Sequence, residues 1–243
     1  MFKLAIEIHC NIMQADHRIK YLRASDDFPP LSDCRTDGLL AAGGDLSPGR
    51  LVKAYSSGIF PWYDISTPIM WYSPETRCLL KPGLFRTSSS LKQKLKNGHF
   101  TFSFDKDFAS VIQFCAGVKR KQESGTWITP AMIDAYTELH KTGLAHSVEV
   151  WHEDRLAGGL YGVSLGKAFF GESMFHLVSD ASKAALYYLC TKLDEKGFHF
   201  IDAQMPTSHL LSLGAFTISR DEYISLLKSA LEAAPIRGSW NQF

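Results

Sequence analysis

Alternating apolar and polar residues mark three neighbouring segments in the second half of the chain. They are HSVEVWH (146–152), LAGGLYGVS (156–164) and KAFFGES (167–173). Alternation places successive side chains on opposite faces of a strand, and the short connections EDR and LGK are typical of hairpin turns. The pattern therefore predicts an antiparallel meander of three strands.

Helical periodicity occurs on both sides of this meander. Before it, SSSLKQKLKNG predicts a basic helix and DFASVIQFCAG an amphipathic helix, with the strand FTFSFD between them. Thr129 and Pro130 are a favoured N-cap and first-turn pair for a further helix, which Gly143 ends. After the meander, helices are predicted in SDASKAALYYLCTKLDEKG and DEYISLLKSALEAA, with the strands FHFID and FTIS between them.

The N-terminal part has shorter elements. MFKLAIEIHC alternates and predicts a strand, residues 11–37 predict irregular structure, and a helix is expected from Ser47–Pro48 to a stop at Gly58 after a glycine-rich turn. PIMWYSP and TRCLL predict short strands. We therefore expect a protein of the α+β class, with a small N-terminal domain over residues 1–85 and a larger domain over 86–243.

Composition limits the class of protein. With 45% hydrophobic residues in 243, the chain can bury a core. It has no unbroken apolar run of about 18 residues, so neither a membrane-spanning helix nor a membrane partner is expected. The five cysteines lie far apart and predict neither a zinc or other metal site nor a disulfide framework. A reduced cytoplasmic protein is the simplest interpretation.

Charge is distributed unevenly, although the formal net charge is only +1. A segment in the middle of the chain carries eight basic residues against two acidic ones. A solvated basic surface is the commoner explanation of such a segment. The alternative is a phosphate-facing surface whose contacts would weaken with salt. The basic residues are Arg86, Lys92, Lys94, Lys96, Lys106, Lys119, Arg120 and Lys121.

Three places in the sequence could carry chemistry. In FHFIDAQ, Asp202 and Gln204 are two positions apart, which would place an acid and an amide on one face of the strand. Glu172 ends an otherwise aromatic strand in FFGESMF. Each also has a purely structural explanation, since Glu172 could cap the next helix and the other two could satisfy main-chain groups. Three tryptophans lie beside turns, where they could be exposed or could be core anchors: Trp62, Trp71 and Trp127.

Familiar catalytic signatures are absent from the sequence. His140, His146 and His209 are scattered, and no G-x-S-x-G string accompanies them. Neither a phosphate-binding loop nor a dinucleotide fingerprint is present. Pattern and composition alone therefore lead to an α+β protein with a possible polar cleft.

Eight strings are far more specific when taken in order: DGLLAAGGDLSPGRLVKAYSSGIFPW, SGTWIT, HSVEVW, GGLYG, GESMF, ASKAAL, IDAQ and HLLSLGA. This order resembles that of leucyl/phenylalanyl-tRNA–protein transferases, from about Asp37 to about Leu227. The resemblance implies a C-terminal domain similar to GCN5-related N-acetyltransferases. It also implies transfer of Leu or Phe, less often Met, from an aminoacyl-tRNA to proteins with N-terminal Arg or Lys, which marks them for N-end rule degradation. It implies neither a metal nor a nucleotide cofactor.

The resemblance assigns candidate catalytic roles to Asp202, Gln204 and Glu172. The acceptor α-amine has an ordinary pKa of about 7.7–8.0, so part of it is neutral near pH 7, and the donor ester is already activated. The Gln204 carbonyl could orient the amine, while Asp202 accepts from the Gln204 NH₂ group and fixes the amide. Glu172 matches an active-site glutamate and could also attract the cationic acceptor residue.

The resemblance also implies contacts to the donor. Trp62 and Trp127 match tryptophans that hold the 3′-terminal adenosine, where stacking contributes about 1–3 kcal/mol per base. A pocket that is narrow near Cβ would exclude Ile and Val, because overpacking costs about 1–3 kcal/mol. Its expected residues are Leu160, Phe169, Met174 and Leu186. Candidate phosphate contacts are Arg86, Lys92, Lys96, Lys119, Arg120 and Lys121.

One position departs from the family pattern. His176 stands directly after GESMF, where a small hydroxyl residue is expected. Two interpretations are open: the difference is neutral, or it adds a pH-sensitive group at the cleft edge. Two rival functions fit the sequence less well. An acetyl-CoA-dependent N-acetyltransferase would need an R/Q-x-x-G-x-G/A loop, which GESMFHLVSDASK does not contain. A non-catalytic module that binds tRNA or basic N-termini would not need Asp202, Gln204 and Glu172 together.

Overall fold

The computed structural model describes residues 19–117 and 128–243. The strand predicted in MFKLAIEIHC lies outside the described residues, as do Lys119, Arg120, Lys121 and Trp127. Among the helices of the two described ranges, none has the combined length and apolar character that crossing a membrane requires.

Four short strands form the smaller sheet, in the order β1-β2-β4-β3. The sequence predicted irregular structure and a glycine-rich turn where β1 and β2 lie. β1 has only three residues, and β2 is buried along its whole length, so it lacks alternation. The predicted helix α1 follows Ser47 and ends before Gly58, whose φ is 76°. The bounds are β1 (Lys20–Leu22), β2 (Leu39–Gly43), α1 (Pro48–Ser56), β3 (Phe60–Pro61) and β4 (Met70–Tyr72).

Seven strands form the larger sheet, in the order β11-β5-β10-β9-β8-β7-β6. Strands β6 to β9 are consecutive antiparallel neighbours, which confirms the predicted meander. β10 is parallel to β9 and antiparallel to β5. The strands are β5 (Thr76–Leu80), β6 (Thr101–Phe104), β7 (Ala145–His152), β8 (Arg155–Leu165), β9 (Ala168–His176), β10 (Phe200–Asp202) and β11 (Phe216–Ser219).

Helices cover this sheet, and the α+β class is confirmed. The Thr129 side chain accepts a hydrogen bond from the Met132 main-chain N–H at 3.3 Å, as expected of an N-cap. Ser219 and Glu222 form a reciprocal capping box at the start of the last helix. The helices are α2 (Ser89–Lys96), α3 (Phe108–Gly117), α4 (Pro130–Lys141), α5 (Ala181–Glu195), α6 (Ser208–Ser212) and α7 (Arg220–Leu231).

The larger sheet separates two apolar clusters. One cluster packs the smaller sheet, α1, α3, α4 and α7 together, with Tyr55, Tyr136 and Tyr223 among its buried residues. The other lies against α5, with Phe169 and Leu186 among its buried residues. Successive residues of β9 therefore face different clusters, as the strand period requires.

β5 lies in the larger sheet, between β11 and β10. A domain boundary drawn after residue 85 would separate β5 from both of the strands with which it pairs. The boundary itself stays a prediction.

The sheet opens between β9 and β10. Their parallel pairing ends where Asp202 lies opposite Phe170. β9 continues beyond this point to His176, paired on its other side with β8. The chain after Asp202 thus leaves β9, and the carboxyl end of β10 lies where the two strands separate.

Candidate active site

Glu172 is the additional residue of a β-bulge in β9. Pairing with β8 passes from Gly171 opposite Gly162 to Ser173 opposite Tyr161, which leaves Glu172 between them. A bulge redirects the side chain of the bulged strand. Gly162 permits the close approach, because an added Cβ there would lie 2.2 Å from a main-chain carbonyl oxygen of β9.

Two buried tyrosines hold the Glu172 carboxyl group. Tyr55 of α1 donates to Oε1 at 2.7 Å, and Tyr136 of α4 donates to Oε2 at 2.9 Å. The two hydroxyl groups also contact each other. When Glu172 is ionised and both hydroxyls donate to it, no proton is left for the contact between the two tyrosines. When Glu172 is protonated, it donates to one tyrosine, that tyrosine donates to the other, and the second tyrosine donates to the carboxyl group, which gives a closed ring.

The protonation of Glu172 changes near neutral pH. Burial raises the pKa of Glu172 to about 7, whereas the two tyrosine hydrogen bonds lower it by less. Burial also raises the pKa of Tyr55 and of Tyr136 well above the ordinary value, so both hydroxyls remain neutral donors. A carboxyl group with this pKa can accept and return a proton at neutral pH.

Asp202 is fully buried and forms a two-point ion pair with Arg77 of β5. Arg77 Nε donates to Oδ1 at 2.9 Å and Nη2 donates to Oδ2 at 2.7 Å. The guanidinium group lies over the Phe60 ring at 4.8 Å and over the Tyr223 ring at 4.4 Å. Burial alone would lower the pKa of Arg77, but the Asp202 carboxylate raises it above its ordinary value, so the arginine stays charged.

Gln204 lies beyond the end of β10, in a left-handed conformation with φ of 55°. Its main-chain N–H donates to Asp202 Oδ1 at 2.9 Å. The expected strand relation between Asp202 and Gln204 was therefore wrong, because the strand ends at Asp202 and the turn changes the direction of Gln204. Asp202 is bonded to the main chain and not to the side-chain amide of Gln204. Gln204 Nε2 is buried and has no hydrogen-bond partner among the described residues.

Glu172 and Asp202 belong to one electrostatic site. Their hydrogen-bond partners Tyr55, Tyr136 and Tyr223 all lie in the cluster that packs α1, α4 and α7. Asp202 raises the pKa of Glu172 and Arg77 lowers it, both by less than burial does. The structure therefore brings the two predicted acids together, while their separate roles stay predictions.

The predicted donor-pocket residues lie on the face of the larger sheet that packs against α5, opposite the face with the three tyrosines. Leu160, Phe169 and Leu186 are buried in the cluster against α5, and Met174 packs against that cluster. Leu160 of β8 is directly opposite Met174 of β9. The structure thus brings these four residues into one apolar cluster, and their role in binding an aminoacyl group stays a prediction.

Trp62 is half-buried directly after β3, with its ring edge-on to Tyr72 at 5.5 Å. The next residue, Tyr63, contacts the Thr129 hydroxyl at 3.0 Å. Thr129 is the N-cap of α4 and follows Trp127 by two positions in the sequence. The residue after Trp62 is therefore connected to the N-cap of α4, and the role of both tryptophans stays a prediction.

The basic side chains of this segment that the structure describes lie at the surface. Arg86, Lys92 and Lys96 are exposed, whereas Lys94 is bound to Asp180 at 2.7 Å. His176 is also exposed, at the end of β9. Arg86, Lys92 and Lys96 are therefore accessible, and their contact with phosphate stays a prediction.

Four residues of the site were not predicted from the sequence: Arg77, Tyr55, Tyr136 and Tyr223. Arg77 could have been found, because it is a charged residue inside the predicted strand TRCLL, and such residues are rarely buried without a partner. The tyrosines carried none, because aromatic residues on helices usually pack in a core.

Comparison with known proteins identifies the family. Residues 79–228 match the model of leucyl/phenylalanyl-tRNA protein transferase, and residues 44–75 match the model of its N-terminal domain. A protein of that name from Thermodesulfovibrio yellowstonii is 53% identical over 215 residues, which cover 88% of each chain. Another from Legionella pneumophila is 49% identical over 214 residues, 88% of this chain and 96% of the relative.

The chain is therefore an aminoacyltransferase. It belongs to the leucyl/phenylalanyl-tRNA–protein transferase family, and the family name gives its substrates as an aminoacyl-tRNA and a protein.

Similar solved structures are much more distant. L-PGS from Bacillus licheniformis is 11% identical, with a TM-score of 0.39, and the match covers 79% of this chain and 64% of that chain. An aminoglycoside acetyltransferase from an uncultured soil metagenomic sample is 16% identical, with a TM-score of 0.36, over 47% of this chain and 84% of that chain. TM-scores this low carry no argument about activity.

Proposed function

We propose that this enzyme transfers Leu or Phe, less often Met, from aminoacyl-tRNA to the α-amine of proteins with N-terminal Arg or Lys. The reaction would take place in the cytoplasm and mark the acceptor for N-end rule degradation. The observation that carries the proposal is Glu172, held between Tyr55 and Tyr136 beside the buried Asp202–Arg77 pair, in a chain of this family.

The transfer requires movement of one proton. The acceptor nitrogen attacks the ester carbonyl carbon, a C–N bond forms, and the bond from that carbon to the ribose oxygen of the terminal adenosine breaks. One proton leaves the nitrogen and one is delivered to the ribose oxygen. Because the pKa of Glu172 is about 7, its carboxylate can take the first proton and its acid form can supply the second.

Glu172 also supports a preference for cationic acceptors. A carboxylate attracts the guanidinium of Arg or the ammonium of Lys more strongly than a neutral side chain. An adjacent cation would in turn favour the charged form of Glu172 and lower its pKa. Binding of such an acceptor would thus produce the carboxylate that proton removal requires.

Gln204 is proposed to position the amine through its side-chain carbonyl, which accepts a hydrogen bond from the amine N–H. The Gln204 Nε2 group is a donor that is buried without a partner among the described residues, so it is available to an acceptor oxygen of a substrate. Trp62 and Trp127 are proposed to stack on the terminal adenosine. The apolar cluster of Leu160, Phe169, Met174 and Leu186 is proposed to hold the aminoacyl side chain.

The test is transfer of labelled Leu from Leu-tRNA to a peptide that begins with Arg. The same peptide with an acetylated N-terminus removes the nucleophile, and a peptide beginning with Ala removes the cation. We expect transfer to the first peptide only, and loss of kcat in Glu172→Gln but not in the exposed control Glu75→Gln. Acetyl transfer from acetyl-CoA in place of aminoacyl transfer would refute the proposal.

A further inference from the structure

The Asp202 carboxylate accepts four hydrogen bonds from other residues of the protein. Oδ1 accepts from Arg77 Nε and from the Gln204 main-chain N–H, each at 2.9 Å. Oδ2 accepts from Arg77 Nη2 and from the Tyr223 hydroxyl, each at 2.7 Å. Two hydrogen bonds on each oxygen fill the usual acceptor positions of a carboxylate. Asp202 therefore has no position left for the side-chain amide of Gln204.

Arg77 connects the two halves of the site. Its third donor, Nη1, reaches the main-chain carbonyl of Gly58 at 3.1 Å. Gly58 follows α1, the helix from which Tyr55 holds Glu172. The same guanidinium group thus bonds to the end of α1 and, through Asp202, to the turn at Gln204.

The turn at Gln204 needs such support. A left-handed conformation is unfavourable for a residue with a Cβ atom and persists only where its surroundings hold it. The Cys78 main-chain N–H donates to the Gln204 carbonyl at 3.0 Å. Asp202 Oδ1 accepts a hydrogen bond from the Gln204 main-chain N–H. Both main-chain groups of Gln204 are therefore fixed, the second of them by a carboxylate that Arg77 holds.

We propose that Arg77 is a positioning residue for the transfer reaction, which holds Gln204 in its left-handed turn by fixing the Asp202 carboxylate. Without the two parallel bonds from Arg77, the carboxylate can rotate and the Gln204 amide is displaced. This inference rests on the proposed function and on the role of Gln204 within it. Asp202 then acts through the main chain, and a proton relay through its carboxylate is not required.

Arg77→Lys tests this role, because lysine keeps the charge but cannot make two parallel hydrogen bonds. We expect kcat for Leu transfer to fall about 10- to 100-fold, the size expected when a reacting group is misplaced by about 1 Å. The KM for Leu-tRNA should change little. The matched control is Arg220→Lys, since Arg220 is a half-buried arginine whose Nη1 donates to the Ser73 carbonyl at 2.8 Å, and its kcat should be unchanged.

A double variant separates positioning from a general loss of structure. If Arg77 acts through Gln204, Arg77→Lys should cause little further loss of kcat in a Gln204→Ala background, measured in single-turnover reactions. An equal loss in both backgrounds would overturn the inference, as would full activity of Gln204→Ala alone. Tyr223→Phe removes one bond to Asp202 and provides the same comparison if Arg77→Lys does not fold. Absence of transfer by the unaltered enzyme would instead refute the proposed function.

Discussion

Replacement of Glu172 by Gln should remove a pH dependence of stability that the unaltered protein carries. Burial raises the pKa of Glu172 from 4.5 to about 7 in the folded state. Between these values the folded protein holds a proton that the unfolded chain releases. The stability contributed by the neutral carboxyl group is therefore complete below the unfolded pKa and is lost as the pH rises through the folded pKa.

The size of this effect follows from the two pKa values. The increase from 4.5 to about 7 corresponds to about 3 kcal/mol, since each pKa unit is worth about 1.4 kcal/mol. Glutamine is neutral throughout this range. The free energy of unfolding of the unaltered protein, relative to that of Glu172→Gln, should thus fall by about 3 kcal/mol between about pH 4 and about pH 8.5.

Urea unfolding at the two pH values measures this difference directly. The exposed Glu75→Gln variant is the matched control for loss of a carboxyl group. If the difference between the unaltered protein and Glu172→Gln is the same at both pH values, the raised pKa of Glu172 is wrong, and with it the argument that this group exchanges protons near neutral pH.

Three further substitutions test other parts of the structure. Gly162→Ala should lower stability by about 1–3 kcal/mol and reduce kcat, because the added Cβ would meet a carbonyl oxygen at 2.2 Å in the bulge. Gly49→Ala should do neither, because beyond its chain neighbours and the backbone of its own helix the added Cβ would meet no described atom within 4 Å. Ser219→Ala removes the capping box of α7 and should cost about 1 kcal/mol in thermal unfolding, with KM for Leu-tRNA unchanged. Trp62→Ala should raise that KM with little change in kcat, and an unchanged KM would contradict stacking on the adenosine.

Sequence patterns predicted the elements that depend on neighbouring residues, such as alternating strands and capped helices. The meander β7 to β9 follows from alternation and from polar turns, and α4 begins at Pro130 because Thr129 caps it. The strand β2 was missed since a strand buried on both faces has no alternation. The same limit applies to β1, whose three residues are too few for a period to show.

Such patterns did not predict the contacts within the candidate site. Asp202 and Glu172 could be found as polar residues at strand ends, but the direction of Gln204 depends on contacts with β5, far away in the sequence. The partner of Asp202 is likewise Arg77, 125 positions earlier. Neither a strand period nor a helix cap contains information about residue pairs so far apart in the sequence. The hydrogen bonds of the site could therefore be identified only in the folded structure.

The position of Arg77 has a consequence for how the protein is synthesised. The guanidinium group needs Gly58 and Phe60, made shortly before it, but also Asp202 and Tyr223, which are made 125 and 146 residues later. A buried charge without its partner is strongly destabilising. The emerging chain therefore cannot bury the charge of Arg77 until β10 has left the ribosome, and an incomplete product that lacks this strand should be both inactive and readily degraded.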